Sequence, residues 1–215
     1  MTGLLLILVG PAGAGKTTLA HRLIAARPEA RGFSVSHTSR PMRASERLGL
    51  DYFFVDRPQF EALRDSGQLA ESAEVHGNYY GTSHAEIKRL TRDGGDAIFD
   101  IDIAGAHNLW RAYPDHCRLV FVVPPSWGVL VQRLRDRGSE TEQTLRRRLR
   151  TAWQELETVQ HSPAPWWLVV NERLSDAVQR LEQIAAPIPP PHDAAGHPTL
   201  RAFVRDAAGD PLAES

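Results

Sequence analysis

Eight consecutive residues, Gly10-Pro11-Ala12-Gly13-Ala14-Gly15-Lys16-Thr17, fit G-x-x-x-x-G-K-[ST] without a gap. That spacing suits one kind of chemistry. The glycines let the backbone turn tightly and point its N–H groups inward onto phosphate oxygens. A helix opening at the same place adds the partial positive charge of its N-terminus. Lys16 would then reach the outer phosphates of a nucleoside triphosphate, and the Thr17 hydroxyl would ligate Mg²⁺. The 25 basic residues include only two lysines, Lys16 and Lys88, so a lysine here stands out. The competing reading is a glycine-rich turn that binds nothing.

Other charged residues fall into patterns that could act on a second anion. Arg40 and Arg43 sit three apart around Pro41 in a stretch too constrained for helix. Two guanidinium forks can clamp a dianionic phosphate. Tyr52 and Tyr80 could each add a hydroxyl donor. Read alone, the competing reading is a solvated basic loop. Asp100 and Asp102 end an apolar run, and strand alternation puts both on one face at its carboxyl end, where open α/β sheets bind ligands. The alternative there is an Asp capping a turn. Residues 133–150 hold Arg133, Arg135, Arg137, Arg146, Arg147, Arg148 and Arg150. In 141–157, Leu145, Leu149, Ala152, Trp153 and Leu156 form an apolar stripe. At 100° per residue Arg147 points away from that stripe, so it is expected in solvent, whereas Arg146 and Arg148 flank it and can reach a site at the helix edge. Such arginines could stabilise the charge that spreads over a transferring phosphoryl group. A nucleic-acid patch is the alternative, but no aromatic residues are interleaved for stacking.

Elements that position these residues follow from hydrophobic periodicity. Short apolar runs at 4–9, 97–103, 119–123 and 167–170 suit strands buried on both faces of a parallel sheet. Helical patterns lie at 17–27, 83–92, 127–137 and 141–157. Strands alternating with helices predict an α/β fold with a mainly parallel sheet flanked by helices. Residues 33–82 break the rhythm, with short strands expected at 33–36, 52–55, 74–75 and 79–80 and a helix near 58–66. They predict an inserted small α+β lobe. Residues 187–191, Pro-Ile-Pro-Pro-Pro, cannot continue a helix. With few large apolar side chains beyond them, 187–215 is expected to be a flexible, Pro-rich tail.

A chain of 215 residues is long enough for one domain with its own core, and 42% hydrophobic with 24% charged residues excludes a disordered or collagen-like chain. Net charge of −1 excludes a globally basic nucleic-acid binder. Cys117 is the only cysteine, which excludes an internal disulfide and a Cys-based zinc site and predicts a core position. The apolar run at 4–9 is too short to span a membrane and follows no basic segment, so a cytoplasmic protein with no membrane contact is expected.

Taken with the phosphate loop, four further segments resemble guanylate kinases in order and spacing: 34–55 (SVSHTSRPMRASERLGLDYFFV), 71–82 (ESAEVHGNYYGT), 99–105 (FDIDIAG) and 133–148 (RLRDRGSETEQTLRRR). The resemblance covers about 4–185. It implies a P-loop kinase fold with a core of 1–33, 83–125 and 153–186, a GMP-binding lobe of 34–82 and an arginine-rich lid of 126–152, together a domain of 1–186. It implies transfer of the ATP γ-phosphate to GMP, with Mg²⁺ as cofactor. Gly10, Pro11, Ala12, Gly13, Ala14, Gly15, Lys16 and Thr17 would bind ATP, with Asn171 near its adenine. Glu71, Ser36 and Thr82 would read guanine, because a carboxylate accepts from both N1–H and N2–H₂ and repels the bare N1 of adenine. Arg40, Arg43, Tyr52 and Tyr80 would hold the GMP phosphate, supported by Glu46, with Asp102 beside the nucleotide. Asp100 and Thr17 would hold Mg²⁺; Arg137 and Arg148, assisted by Arg133, would close on the transferring group beside Lys16. The chain departs from the family's Pro-Arg-x-Gly-Glu at Met42, Ala44 and Ser45, and from its acidic-aromatic stretch at 163–167. A kinase for another small phosphorylated acceptor, such as a ribose bisphosphate, and a non-catalytic interaction domain are the alternatives. The sequence leaves the oligomeric state open.

Overall fold

The computed structural model describes residues 3–44, 46–75, 77–136 and 141–214. Five parallel strands make the main sheet: β1 (Leu5–Val9), β2 (Arg31–Phe33), β7 (Asp96–Asp100), β8 (Cys117–Val123) and β9 (Trp166–Val170), in the order β2-β7-β1-β8-β9. Every residue of β1 is buried. Its side chains alternate between two cores, Leu5, Ile7 and Val9 facing one way and Leu6 and Leu8 the other. Burial on both faces is why β1 reads as an unbroken apolar run. Cys117 packs in the first core, where burial pushes its thiol up to about 12.

Helices cover both faces. Helix α1 (Lys16–Ala26) and α7 (Leu174–Ala185) close one core. The other is closed by α4 (Ile103–Ala112), α5 (Trp127–Asp136) and α6 (Glu142–Gln160). Parallel register sets Leu8 of β1 beside Asp100, so the loop after β1 and the end of β7 emerge together at the carboxyl edge of the sheet.

A second sheet, in the order β4-β3-β6-β5, comprises β3 (His37–Thr38), β4 (Phe53–Phe54), β5 (Leu69–Val75) and β6 (Asn78–Ser83). Helix α2 (Arg57–Asp65) packs on β5; Asp56 caps it by accepting from the Gln59 N–H at 2.8 Å. Helix α3 (His84–Leu90) returns the chain to the main sheet, and α4 packs across β5. The strand expected at 33–36 lies instead at Arg31–Phe33 and belongs to the main sheet, paired to β7.

Residues beyond 186 correct the expectation of a flexible tail. Residues 190–194 run along the exposed edge of β9. The Trp167 indole donates to the Pro190 carbonyl at 2.8 Å, the Leu168 N–H donates to Asp193 Oδ1 at 3.0 Å, and the Asp193 and Ala194 N–H groups donate to the Trp166 carbonyl at 3.1 Å. Backbone groups left bare at a sheet edge are thereby satisfied. The chain then forms α8 (Pro198–Ala208) and α9 (Pro211–Glu214), which pack on α6, with α8 also touching α5. Leu200, Phe203 and Ala207 of α8 are fully or almost fully buried. Phe203 meets the Trp127 ring edge-on at 6.5 Å, and the Trp127 indole donates to Asp210 at 2.7 Å.

Candidate active site

The loop after β1 has the backbone that its glycines permit. Gly10, Gly13 and Gly15 take φ of 144°, 91° and 90°. Those are left-handed values that strain any residue with a Cβ. Gly15 is the N-cap of α1 and supplies no side-chain cap, so the first N–H groups of α1 are open to an anion. Lys16 folds back over the loop. Its ammonium donates to the Gly10 carbonyl at 2.6 Å and the Pro11 carbonyl at 3.4 Å and lies 3.7 Å from Asp100. The Thr17 hydroxyl donates to the other Asp100 oxygen at 2.7 Å. Thr17 and Asp100 thus present adjoining hard oxygen ligands beside the loop.

Asn171 is held against the phosphate loop. Its amide donates to the Ala14 carbonyl at 2.8 Å, and a Cβ on Gly15 would collide with it. It braces the phosphate loop from beneath. Arg133 on α5 donates to the Asn171 carbonyl at 3.1 Å, so it belongs to the same brace and does not line the cleft.

A cleft of about 420 Å³ opens over the loop, between the main sheet, the second sheet and α6. At one end stands Glu71 on β5, buried and paired in register with Thr82 of β6. Burial pushes the Glu71 carboxyl up to about 7; Asp102 adds to this, while Thr82 beside it opposes. Gly105 approaches so closely that a Cβ there would sit 2.8 Å from Glu71 Oε2. Thr82 Oγ1 is buried beside the Glu71 carboxylate. Ser36 lines the cleft nearby, in a segment held by the Val35 N–H donating to Glu86 at 3.0 Å.

Arg43, Tyr52 and Tyr80 line another part of the wall. Arg40 does not. It donates to Glu46 and to the Pro41 carbonyl, both at 2.7 Å, and stacks its guanidinium 5.5 Å over the Tyr52 ring. Glu46 also accepts from the Arg43 N–H at 2.9 Å. The Arg40 guanidinium holds the Glu46 carboxyl below its usual range. Arg40 and Glu46 therefore fix the loop in this state, and Arg43, with its side chain largely exposed, is presented to the cleft. Met42 and Ala44 are exposed; the departure at Ser45 lies outside the described residues.

Asp102 is the N-cap of α4, accepting from the Gly105 N–H at 2.7 Å, and β7 ends at Asp100. The single strand expected through both acids is broken by this cap, yet both carboxylates line the cleft. Helix α4 is not among the helices expected from the sequence, and only its first residue, Ile103, falls in the apolar run at 97–103.

Helix α6 supplies the facing wall with Arg147, Arg148, Thr151, Ala152 and Glu155. Arg148 stands where the phasing puts it. Arg147, expected in solvent, is exposed and also lines the cleft. Arg137 lies outside the described residues. Glu155 is the residue the sequence reading missed. The signal was present: seven residues after Arg148, it falls on the same edge of the helix. Among the described residues, no group of three acidic, His or Cys side chains is arranged to hold a metal, and no helix is long and apolar enough to cross a membrane.

The family model described as guanylate kinase matches residues 2–186. The chain is 45% identical over 180 residues to a guanylate kinase of Oleidesulfovibrio alaskensis, covering 84% of this chain and 85% of that protein. It is 43% identical over 184 residues to one from Anaeromyxobacter dehalogenans, covering 86% and 80%. The crystal structure of guanylate kinase from Anaplasma phagocytophilum superposes with a TM-score of 0.66 at 26% identity, over 100% of this chain and 97% of that one.

Proposed function

Since the chain belongs to the guanylate kinase family, it is a nucleoside monophosphate kinase that transfers the γ-phosphate of ATP to GMP, and we propose that the cleft described above carries the reaction as follows. The observation behind this reading is that one cleft joins a glycine phosphate loop bearing Lys16 to a buried acceptor, Glu71, suited to guanine.

ATP phosphates lie on the open N–H groups of the loop and α1, and Lys16 turns from the Gly10 carbonyl to the transferring phosphate. Glu71 as carboxylate accepts from guanine N1–H and N2–H₂, with Ser36 and Thr82 beside it. Arg43, Tyr52 and Tyr80 hold the GMP phosphate. Arg40 and Glu46 keep that loop in shape, and Asp102 orders the start of α4 beside the nucleotide. Arg148, with Arg137, neutralises the charge that develops on the moving group. Thr17 and Asp100 are hard oxygen donors of the kind that, together with substrate phosphates, hold Mg²⁺, which would supply charge neutralisation at those phosphates. Catalysis rests on positioning and electrostatics, with direct in-line transfer and no covalent enzyme intermediate. In domain terms, 34–82 acts as the GMP-binding lobe and 126–152 as the lid on the remaining core.

An ADP-release assay across GMP, AMP, CMP and UMP tests this. Adenine would leave the buried Glu71 carboxylate unpaired, so GMP should exceed AMP by roughly 10³-fold in kcat/KM. Glu71→Gln should narrow that ratio. A wild-type protein that used AMP as well as GMP, or used only a sugar phosphate, would overturn the reading.

A further inference from the structure

Glu155 is a half-buried acid for which the scheme above has no task. Its Oε2 is shielded from solvent and has no hydrogen-bond partner among the described residues, yet the residue lines the cleft. It shares its face of α6 with Arg148 and Thr151. Burial, above all, pushes its carboxyl up to about 7; Lys16 opposes this, and Asp102 and Asp100 add to it. An acceptor left unsatisfied at such a depth is costly in the empty protein, so it marks a place that an occupant with a donor completes.

The surroundings narrow that occupant. A third phosphate would face Glu155, Asp102 and Asp100 together, and like charges at such range repel. The Mg²⁺ of the scheme above is assigned to Thr17 and Asp100, and among the described residues Glu155 is not grouped with two further acids, His or Cys as a metal site of its own. The guanine donors are taken by Glu71. Asp102 and Glu71 both crowd Gly105 at the base end, Asp100 lies 3.7 Å from Lys16 at the phosphate end, and Glu155 lines the cleft with all four. Glu155 therefore stands between the base end and the phosphate end of the cleft. The part of a nucleoside monophosphate that joins base to phosphate is the sugar, and a ribose carries two neutral hydroxyl donors.

From this placement we infer that Glu155 accepts a hydrogen bond from a ribose hydroxyl of the acceptor nucleotide and so sets the preference for ribo- over deoxynucleotide. The inference rests on the reading of the cleft as a GMP site. Residues that position the base and the phosphate would be insensitive to the sugar; Glu155 is the group that senses it.

The test is kcat/KM at saturating ATP for GMP, 2′-deoxy-GMP, 3′-deoxy-GMP and AMP, in wild type, Glu155→Met and Glu155→Gln. Wild type should favour GMP over at least one deoxy analogue by roughly tenfold or more, as a charge-assisted hydrogen bond allows. Glu155→Met keeps length but has no strong acceptor. It should lower GMP use by a similar factor and leave that analogue within about twofold, so the ratio collapses. Glu155→Gln, retaining a neutral acceptor, should fall between. A merely structural role would lower all three guanine substrates together and leave their ratios unchanged, which overturns the inference. Indifference of the wild type to both sugar hydroxyls overturns it without any variant, should Glu155→Met fail to fold. A wild type that prefers GMP to AMP but ignores the sugar sinks this inference alone; one that does not prefer GMP sinks the base reading beneath it.

Discussion

Replacing Phe203 by Ala asks whether the carboxyl-terminal helix is part of the folded protein. The ring is 1% exposed and meets Trp127 edge-on, in a seat shared with fully buried Leu200 and Ala207. Truncating a Phe in such a seat costs about 3–5 kcal/mol, from lost transfer energy and the cavity left behind. The aromatic pair accounts for roughly 0.5–1.5 kcal/mol of this. For a chain of this length, each kcal/mol moves Tm by about 2–4 °C, so a fall of about 6–20 °C is expected. Urea unfolding followed by tryptophan fluorescence reads the change directly, because Trp127 lies at the contact. Deleting 187–215 should cost more still, since it also strips the β9 edge of its partners and removes Asp210 from the Trp127 indole. It should lower the urea m value as well, with less surface left to expose. Turnover by Phe203→Ala at low temperature should stay near wild type, because Phe203 does not line the cleft. A shift below about 1 kcal/mol in the point variant, with a truncated chain as stable as the full one, would show that α8 does not dock.

Lys16→Ala should keep the fold and lose roughly 10²–10³ in kcat, measured by coupled ADP release, because it removes one preorganised charge from the transferring phosphate. Arg148→Ala should lower kcat more than it raises the KM for GMP, since its contact forms in the transition state. Arg147→Ala should now lower kcat/KM several-fold, given its place on the cleft; an unchanged value would return it to solvent. Glu71 makes GMP binding depend on pH. Its carboxyl titrates at about 7 in the empty protein, and guanine binds the charged form, so the dissociation constant for GMP should rise as pH falls below about 7, approaching tenfold per unit. Stability has the opposite sign: a raised carboxyl favours the empty folded state at low pH, and that contribution is lost as pH rises from about 4.5 through about 7. Calorimetric binding between pH 5.5 and 8.5 should show the slope in wild type and its loss in Glu71→Gln.

Where local chemistry dictates local shape, the sequence was enough. Glycines at 10, 13 and 15 need left-handed backbone, and a helix must follow them, so the phosphate loop was legible without any neighbour. The apolar run of β1, broken by Gly10-Pro11, suited a doubly buried strand, and every residue of it is buried. Glu71, Arg43 and Tyr80 were singled out through the five-segment resemblance, and the structure sets all three on one cleft. Features that depend on a partner from elsewhere in the chain were not legible. Asp102 reads as the next residue of a strand until the Gly105 N–H turns it into a cap. Asn171 gives no sign that it braces Ala14, 157 positions away. Arg40 and Arg43 have equal charge in the sequence, and only the tertiary structure sets Arg40 2.7 Å from Glu46 within the loop while Arg43, 3.8 Å from the same carboxylate, keeps its side chain largely exposed on the cleft wall. A proline run signals extended chain, yet it cannot say that the bare edge of β9 lies beside it. Nor can an apolar spacing at 200, 203 and 207 reveal that α5 and α6 offer it a seat. Backbone preference and hydrophobic period act over a few residues and are written in order along the chain. Burial, edge pairing and the pKa of an acid such as Glu155 are set by what surrounds a group in space, and that is decided only when the tertiary structure closes.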